Sequence, residues 1–135
     1  MVIKPKLEIT KNTISSAKKN PGGWVYHIVG SFSPNQTIPP EHILGAWEVD
    51  KNGNLTGKFH PNEKFNSFSS KYYTPPEYIY FLAKDNKNKW IYEIDDEFKN
   101  KVDVPLNKIY GAWLVDSNGD LTGNFKINPI YLHST

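Results

Sequence analysis

The sequence predicts an all-β protein in which two tandem antiparallel units of about four strands pack as one sandwich or barrel with pseudo-twofold symmetry. Residues 24–62 recur without a gap as residues 90–128, with 18 identities in 39 aligned positions. Aromatic residues make up 14% of the chain, and ten prolines and nine glycines favour turns over long helices. We therefore predict a single domain over residues 1–135, with repeat one at 7–62 and repeat two at 73–128.

Each repeated segment opens with a predicted strand, WVYHI at 24–28 and WIYEI at 90–94. The residues shared by the copies, Trp, Tyr and Ile, occupy alternate positions and so lie on one face of a strand. The positions between them change, with His27 in one copy and Glu93 in the other. We predict that the shared face is core and that the changing face meets solvent or a partner.

A hairpin follows in each copy. The first has strands at 44–49 and 54–59, and its Asn-Gly pair at 52–53 recurs at 118–119. Asn-Gly between alternating apolar residues is a strong hairpin signal, because glycine tolerates positive φ. The hairpins therefore account for two strands of each unit.

The turns of these hairpins superficially resemble calcium-binding loops. Residues 50–54 and 116–120 are rich in Asp and Asn, but glycine is the fourth residue and no glutamate follows at the twelfth. We therefore predict tight turns that are capped by their aspartates. On the neighbouring strands, Gly45 and Gly57 are expected to leave room for the indole of Trp47.

Further strands at 7–10 and 78–84 complete the predicted four-stranded units. The connections at 38–43 and 104–109 each contain proline and are expected to hold a helical turn. Residues 62–76 join the repeats, and their aromatic side chains favour a packed loop over a flexible linker.

Composition excludes several classes of function. The chain has no cysteine, so disulfides, cysteine-based zinc sites and thiol nucleophiles are excluded. All 16 basic residues are lysine, and the lack of arginine argues against sequence-specific nucleic-acid binding. We see no signal peptide and no apolar run long enough to span a bilayer, and we expect a cytoplasmic monomer that binds neither nucleic acid nor membrane.

Candidate catalytic residues are few. His27, His42 and His60 all lie in the first copy, and a histidine pair near a lysine suits acid–base cleavage of RNA. Their counterparts in the second copy are not histidine, which favours surface positions that drifted after duplication. No nucleotide-binding loop, nucleophile elbow or metalloprotease motif is present. We expect no enzyme activity, no cofactor and no metal.

An acidic run in the second copy is the stronger candidate for a functional site. Glu93, Asp95 and Glu97 alternate along one predicted strand face, and tyrosines cluster in the join. Such a surface would steer a basic partner such as a nuclease. Exposed tyrosine anchors protein interfaces and also stacks on sugars. The predicted partner-binding residues are Glu93, Asp95, Asp96, Glu97, Tyr72 and Tyr73.

The repeated motif W-x-Y-x-I…GAW-x-VD-x-NG-x-LTG-x-F resembles short bacterial proteins that accompany toxins, and the chain is similar to immunity proteins of contact-dependent and polymorphic toxin systems. The resemblance implies a protein that occludes the active site of a cognate toxin, possibly a nuclease. Immunity proteins share a role and not a site, so no functional residue is carried over. The alternatives are a two-site carbohydrate-binding module and a small histidine-dependent ribonuclease. A two-site module requires equivalent exposed residues in both copies.

Overall fold

A computed structural model of the chain describes residues 4–98 and 101–131 and contains two three-stranded antiparallel sheets. Sheet one consists of β1 (Trp24–Ile28), β2 (Ile43–Val49) and β3 (Leu55–Pro61), and sheet two of β4 (Trp90–Ile94), β5 (Ile109–Val115) and β6 (Leu121–Ile127). The β-rich class and the tandem antiparallel sheets are confirmed. The sandwich or barrel arrangement and the pseudo-twofold symmetry stay predictions.

Three helices accompany the sheets: α1 (Lys11–Lys18), α2 (Ser67–Ser70) and α3 (Glu77–Lys84). The predicted strands at 7–10 and 78–84 are wrong, because the first segment is irregular and the second lies within α3. Ile79 and Ala83, four residues apart, are both buried on one side of α3. This helical spacing overrides the strand propensity of the Tyr- and Ile-rich sequence.

The two long helices belong to the repeat. Each spans eight residues, and α3 follows α1 at the same offset of 66 residues that relates the two sheets. The Nζ of Lys18 donates a hydrogen bond to Oδ1 of Asn54, and the Nζ of Lys84 donates to Oδ1 of Asp120 over 2.8 Å. The repeated unit is therefore a helix followed by a three-stranded sheet, and not four strands.

The strand registers of the two sheets also correspond at this offset. In sheet one the register of β1 with β2 shifts after His27, and in sheet two the register of β4 with β5 shifts after Glu93. The second pairing shifts after Trp47 in sheet one and after Trp113 in sheet two. These matching irregularities give both sheets the same local shape.

The hairpin turns confirm the capping interpretation. The central glycines of both turns have positive φ, 81° and 83°. The carboxylate of Asp50 accepts hydrogen bonds of 2.9 Å from the backbone N–H groups of Asn52 and Asn54. Asp116 does the same in the second turn, and these backbone donors lower its pKa from the ordinary value. The aspartates thus organise the turns from within the chain.

The glycines of the hairpin strands have a different role from the one expected. A Cβ added at Gly45 would lie 2.4 Å from the ring of Phe59, and the same distance recurs in the equivalent pair of sheet two. A Cβ at Gly57 would meet nothing within 4 Å. The expectation that these glycines make room for Trp47 is therefore wrong, because Gly45 accommodates the neighbouring phenylalanine.

Both repeats contribute to one buried hydrophobic cluster. The join between them packs onto repeat two, where Asn66 Nδ2 donates to the Thr122 carbonyl over 3.0 Å and Phe68 stacks on Trp113. The predicted loop in the join thus contains α2, and the expected helical turns are short 3-10 helices at Pro40–His42 and Leu106–Lys108. The aromatic members of the cluster are Trp47, Phe59, Phe65, Tyr73, Tyr110, Trp113, Phe125 and Tyr131.

Candidate functional site

The outer face of sheet one carries aromatic residues that the repeats share. Trp24 and Tyr26 on β1 are 41% and 57% exposed, whereas Val25 between them packs against the core. Val25 pairs with Trp47 across the ladder, so these two side chains share the inner face. The prediction that Trp24 and Tyr26 form the core is wrong, because the register with β2 turns the other face of β1 inward.

Sheet two repeats this arrangement. Tyr92 is 61% exposed and Trp90 is partly exposed, whereas Ile91 between them is buried. Ile91 pairs with Trp113, as Val25 pairs with Trp47 in sheet one. The exposed aromatic pair is therefore a property of the repeated unit.

A shallow groove lies on the outer face of each sheet. Groove one has a volume of about 390 Å³ and groove two of about 470 Å³. The shared lining of groove one comprises Trp24, Tyr26, Ile43, Gly45, Ala46 and Asn62. The shared lining of groove two comprises Trp90, Tyr92, Ile109, Gly111, Ala112 and Asn128. All six pairs are identical residues at the offset of 66.

The same local contacts shape both grooves. Ala46 is the cross-strand partner of Tyr26, so a small side chain lies beside the exposed ring. The amide of Asn62 donates to the carbonyls of Pro40 and Ile43 over 2.9 and 2.8 Å, which ties the 3-10 turn to the end of β3. Asn128 makes the equivalent two bonds in sheet two, both of 2.7 Å. The side-chain amides of these asparagines are engaged in hydrogen bonds within the protein. The polar groups that could contact a ligand are therefore those at the rim of each groove.

The rims of the grooves differ in charge. In groove one, the ring of His60 lies edge-on to the indole, with centroids 4.9 Å apart, and its Nε2 lies 3.2 Å from a Glu48 oxygen. In groove two, the Nζ of Lys126 lies 4.7 Å from the indole centroid and 3.0 Å from a Glu63 oxygen. Each indole thus has beside it one nitrogen group that is paired with a carboxylate, and Lys64 also lines groove one.

The acidic strand predicted as a docking surface points inward. Glu93 is fully buried, and its carboxylate accepts hydrogen bonds from Trp113 Nε1 at 3.0 Å and from the Tyr73 hydroxyl at 2.8 Å. Asp95 is buried and accepts from the Tyr131 hydroxyl at 2.6 Å. The expectation that Glu93 and Asp95 share a solvent face is wrong, for the same reason of register. Burial raises the pKa of Glu93, and the hydrogen bonds from Trp113 and Tyr73 oppose that rise.

The other predicted partner-binding residues are divided between surface and interior. Asp96 and Glu97 are exposed in a 3-10 turn, and a Glu97 oxygen lies 3.4 Å from Lys108 Nζ. Tyr72 is partly buried, and burial raises its pKa to about 12. Tyr73 is buried. A role of these residues in partner binding stays a prediction.

Tyr72 and Tyr73 also line a cleft of about 750 Å³ in the join between the repeats. Its walls include Phe68 and Lys71 near α2, and prolines 75 and 76 precede α3. Aromatic and basic groups therefore meet in one concave surface of the join.

His27 and His60 do not form an acid–base pair. His27 lies opposite Gly45 on the inner side of sheet one, where burial lowers its pKa. His60 pairs with Ala46 on the outer side of the same sheet, so these two imidazoles are on opposite faces. His42 Nδ1 lies 3.1 Å from the Val29 carbonyl oxygen. The ribonuclease alternative stays a prediction, and the separation of His27 from His60 does not favour it.

Within residues 4–98 and 101–131, no group of three or more His, Asp or Glu side chains is arranged to hold a metal ion. Over the same residues, no helix combines the length and the apolar character that crossing a membrane requires.

Comparison of the chain with protein-family models, with curated proteins and with solved structures found no match. The function is therefore argued from the geometry of the grooves and of the surfaces around them.

The sequence pointed to the residues of the grooves but placed them on the wrong face. One feature of the sequence could have revealed this error. Val25 and its counterpart Ile91 are both apolar, so both faces of this strand have apolar residues in each copy. Periodicity alone does not choose between two such faces, and the register with the neighbouring strand decides.

Proposed function

We propose that this protein is a two-site carbohydrate-binding module, with one sugar ring bound in groove one and one in groove two. The observation that carries the proposal is the equivalence of the grooves, which share exposed Trp and Tyr residues at identical positions of both repeats. An asymmetric protein interface does not require the same exposed residues twice, whereas a repetitive ligand does.

The chemistry of the grooves suits a sugar ring. Tyr26 and Tyr92 expose more than half of their surface, and an aromatic face of this kind stacks on the C–H face of a pyranose. The small side chains of Ala46 and Ala112 leave space beside the rings. Hydroxyl groups of the sugar then meet polar atoms at the rim, which matches the general anatomy of an apolar pocket with a few polar groups.

Two shallow sites act together on a polymer. Each groove is small, and we expect a single site to bind with a Kd near the millimolar range. When one groove is occupied, the second binds the same chain at a high effective concentration, and the apparent affinity rises by about 100-fold or more. Binding of a polysaccharide is therefore expected to exceed that of its monosaccharide.

The proposal is tested by titrating immobilised polysaccharides and an oligosaccharide array with the wild type and with Tyr26→Ala, Tyr92→Ala and the double variant. Each single variant is expected to reduce polymer affinity by about tenfold or more through loss of avidity, and the double variant to abolish binding. Tyr26→Phe retains the ring and is expected to bind nearly as the wild type does.

Phe81→Ala, an exposed aromatic change outside both grooves, serves as the matched control and is expected to leave binding unchanged. The proposal is wrong if no glycan binds at millimolar concentration, or if the double tyrosine variant binds as the wild type does.

A second candidate function is the immunity protein, and the surface of α3 favours it. Phe81 is 69% exposed, and Tyr80 and Leu82 beside it are also exposed. At the equivalent positions of α1, residues 14–16 are Ile, Ser and Ser. The fold thus does not require an apolar surface here, and an exposed apolar patch suits a protein partner.

This candidate is tested with a toxin encoded beside the gene of this protein. Co-expression is expected to protect cells, and the double change Phe81→Ser with Leu82→Ser, which gives α3 the polarity of α1, is expected to abolish protection. The Tyr26→Ala, Tyr92→Ala variant should still protect. If no neighbouring gene encodes a toxin, or if protection survives the α3 changes, this role of the surface is excluded.

A further inference from the structure

The side chain of Lys4 is enclosed by acidic and aromatic groups of repeat two. Its Nζ lies 3.4 Å from Glu93 Oε2 and 3.7 Å from Asp95 Oδ1. The same nitrogen lies over two aromatic rings, 5.3 Å from the centroid of Tyr110 and 5.8 Å from that of Tyr131. Two carboxylates and two π-faces therefore surround one ammonium group, and we call these four residues the ammonium cage.

The cage is held rigidly by the core. Trp113 donates to one oxygen of Glu93 and Tyr73 donates to the other, while Tyr131 donates to Asp95. These bonds orient the carboxylates before any cation arrives. Paired carboxylates with fixed geometry bind a desolvated cation far better than mobile surface acids do, because little reorganisation is needed.

The duplication shows that the fold does not require the cage. The residues of repeat one at the positions of the four cage residues are His27, Val29, Leu44 and Phe65. Leu44 and Phe65 are fully buried in the same core cluster, so an apolar lining satisfies the packing there. Well-packed apolar residues of similar volume usually make a protein as stable as a buried ion pair does, or more stable. Stability alone therefore does not explain the buried charges of the cage.

A second, independent feature marks the site. Tyr110 is fully buried, and its hydroxyl makes no well-formed hydrogen bond within the described residues, although it lies near the Tyr72 hydroxyl. A buried hydroxyl in this condition costs free energy, so it is seldom left in a purely structural core. Tyr110 belongs to the wall of the cage.

We propose that the cage is a binding site for a primary alkylammonium group, that Lys4 occupies it in cis, and that a lysine side chain of a protein partner is its external ligand. Aromatic rings combined with carboxylates are a recurrent way to bind ammonium groups. Lys4 precedes α1 in a segment without regular secondary structure, so exchange of its side chain breaks no helix or strand. The proposal does not depend on the grooves, because none of the cage residues lines them.

The experiment follows the indole N–H signal of Trp113 by NMR while n-butylammonium is added to the wild type, to Lys4→Ala and to Lys4→Ala with Glu93→Gln. Lys4→Ala is expected to show a saturable shift. The wild type should require at least about tenfold more amine, because its own tethered lysine competes at high effective concentration. The Glu93→Gln variant should lose the response.

One control distinguishes the effect of the ammonium charge from that of the alkyl chain, and another compares a free amine with a lysine-containing peptide. n-Butanol is expected to produce no saturable shift, and the indole signal of Trp47, which has no cage, should not move. A lysine-containing peptide is expected to bind Lys4→Ala more tightly than n-butylammonium does; if only the free amine binds, the inferred protein ligand is wrong.

The Lys4→Ala variant counts as folded if its Trp47 signal is unchanged. If this folded variant shows no shift of the Trp113 signal up to about 100 mM n-butylammonium, the proposal is wrong. If Lys4→Ala is unfolded, the same amine is expected to restore the fold by mass action, and failure of this rescue in Lys4→Ala and in Lys4→Met equally overturns it.

Discussion

Repeat one and repeat two share the lining of their outer grooves, whereas their inner faces share some residues and differ at others. Their outer sheet faces share the aromatic pair, the small residues and the structural asparagine of the grooves. Their inner faces share Trp47 with Trp113 and Phe59 with Phe125, but repeat one has Val29 and Leu44 where repeat two has Asp95 and Tyr110. The retained groove residues fit the two proposed sugar sites, and the buried charges of repeat two fit the proposed ammonium cage.

The largest effect on stability is expected at the buried tryptophans. Trp113→Ala should reduce the free energy of unfolding by about 4 kcal/mol, since it leaves a cavity in a fully buried site. Trp113→Phe should cost about 1–2 kcal/mol more than Trp47→Phe, because it also removes the indole donor to Glu93. Urea denaturation of the three variants measures this. Equal costs for the two Trp→Phe changes would show that the bond to Glu93 contributes nothing.

The next largest effect concerns the position at which the cores diverge most. Glu93→Ala should cost about 3 kcal/mol, because it leaves the ammonium of Lys4 and the indole N–H of Trp113 without their acceptor. His27→Ala, the same position in repeat one, should cost about 1 kcal/mol. Thermal and urea unfolding provide the comparison, and a His27 variant as unstable as the Glu93 variant would contradict the asymmetry.

The glycines that face a phenylalanine ring in both repeats are expected to contribute equally to stability. In Gly45→Ala and in Gly111→Ala the new Cβ would lie 2.4 Å from a phenylalanine ring and 2.6 or 2.5 Å from a carbonyl oxygen of the backbone. Both variants should therefore lose about 2 kcal/mol of stability, within about 0.5 kcal/mol of each other. Measured free energies of unfolding that differ by more than this would mean that the two hairpins are packed differently.

The smallest effect is a decrease of stability with rising pH that repeat two should produce through Glu93. Burial raises the pKa of Glu93 above 4.5, so the native state holds this proton more tightly than the unfolded chain does. Stability from this group is then present below about pH 4.5 and decreases as the pH rises towards the folded pKa. The curve of unfolding free energy against pH should lose this decrease in Glu93→Gln. An unchanged slope in the variant would contradict the assignment.

The sequence alone was sufficient for the repeat, the hairpins and their turns. Those features depend on local chemistry, such as the Asn-Gly pairs and the aspartates that cap them. It was insufficient for the face of β1, because Trp24 and Val25 are both apolar and the choice between them depends on the register with β2. It was insufficient for α3, where strand-favouring residues adopt a helix so that Ile79 and Ala83 reach the core.

The dependence on long-range contacts also explains why the positions of the candidate site residues were not predicted correctly. Glu93 and Asp95 stand out in the sequence as charges on a variable strand face, and charges of this kind usually face water. Their burial depends on donors far along the chain, Trp113, Tyr73 and Tyr131, which no local pattern connects to them. The groove residues were recognisable as shared, but their exposure became visible only with the tertiary structure.

The most direct test of the shared outer face is residue-resolved hydroxyl-radical footprinting of the wild-type protein, with oxidation read by mass spectrometry. Tyr26 and Tyr92 are expected to be oxidised rapidly and at similar rates, while Tyr110 and Trp113 react slowly. A saturating glycan should slow oxidation of both exposed tyrosines together. Slow oxidation of Tyr26 and Tyr92 in the free protein, or protection of only one of them by the glycan, would contradict two equivalent grooves.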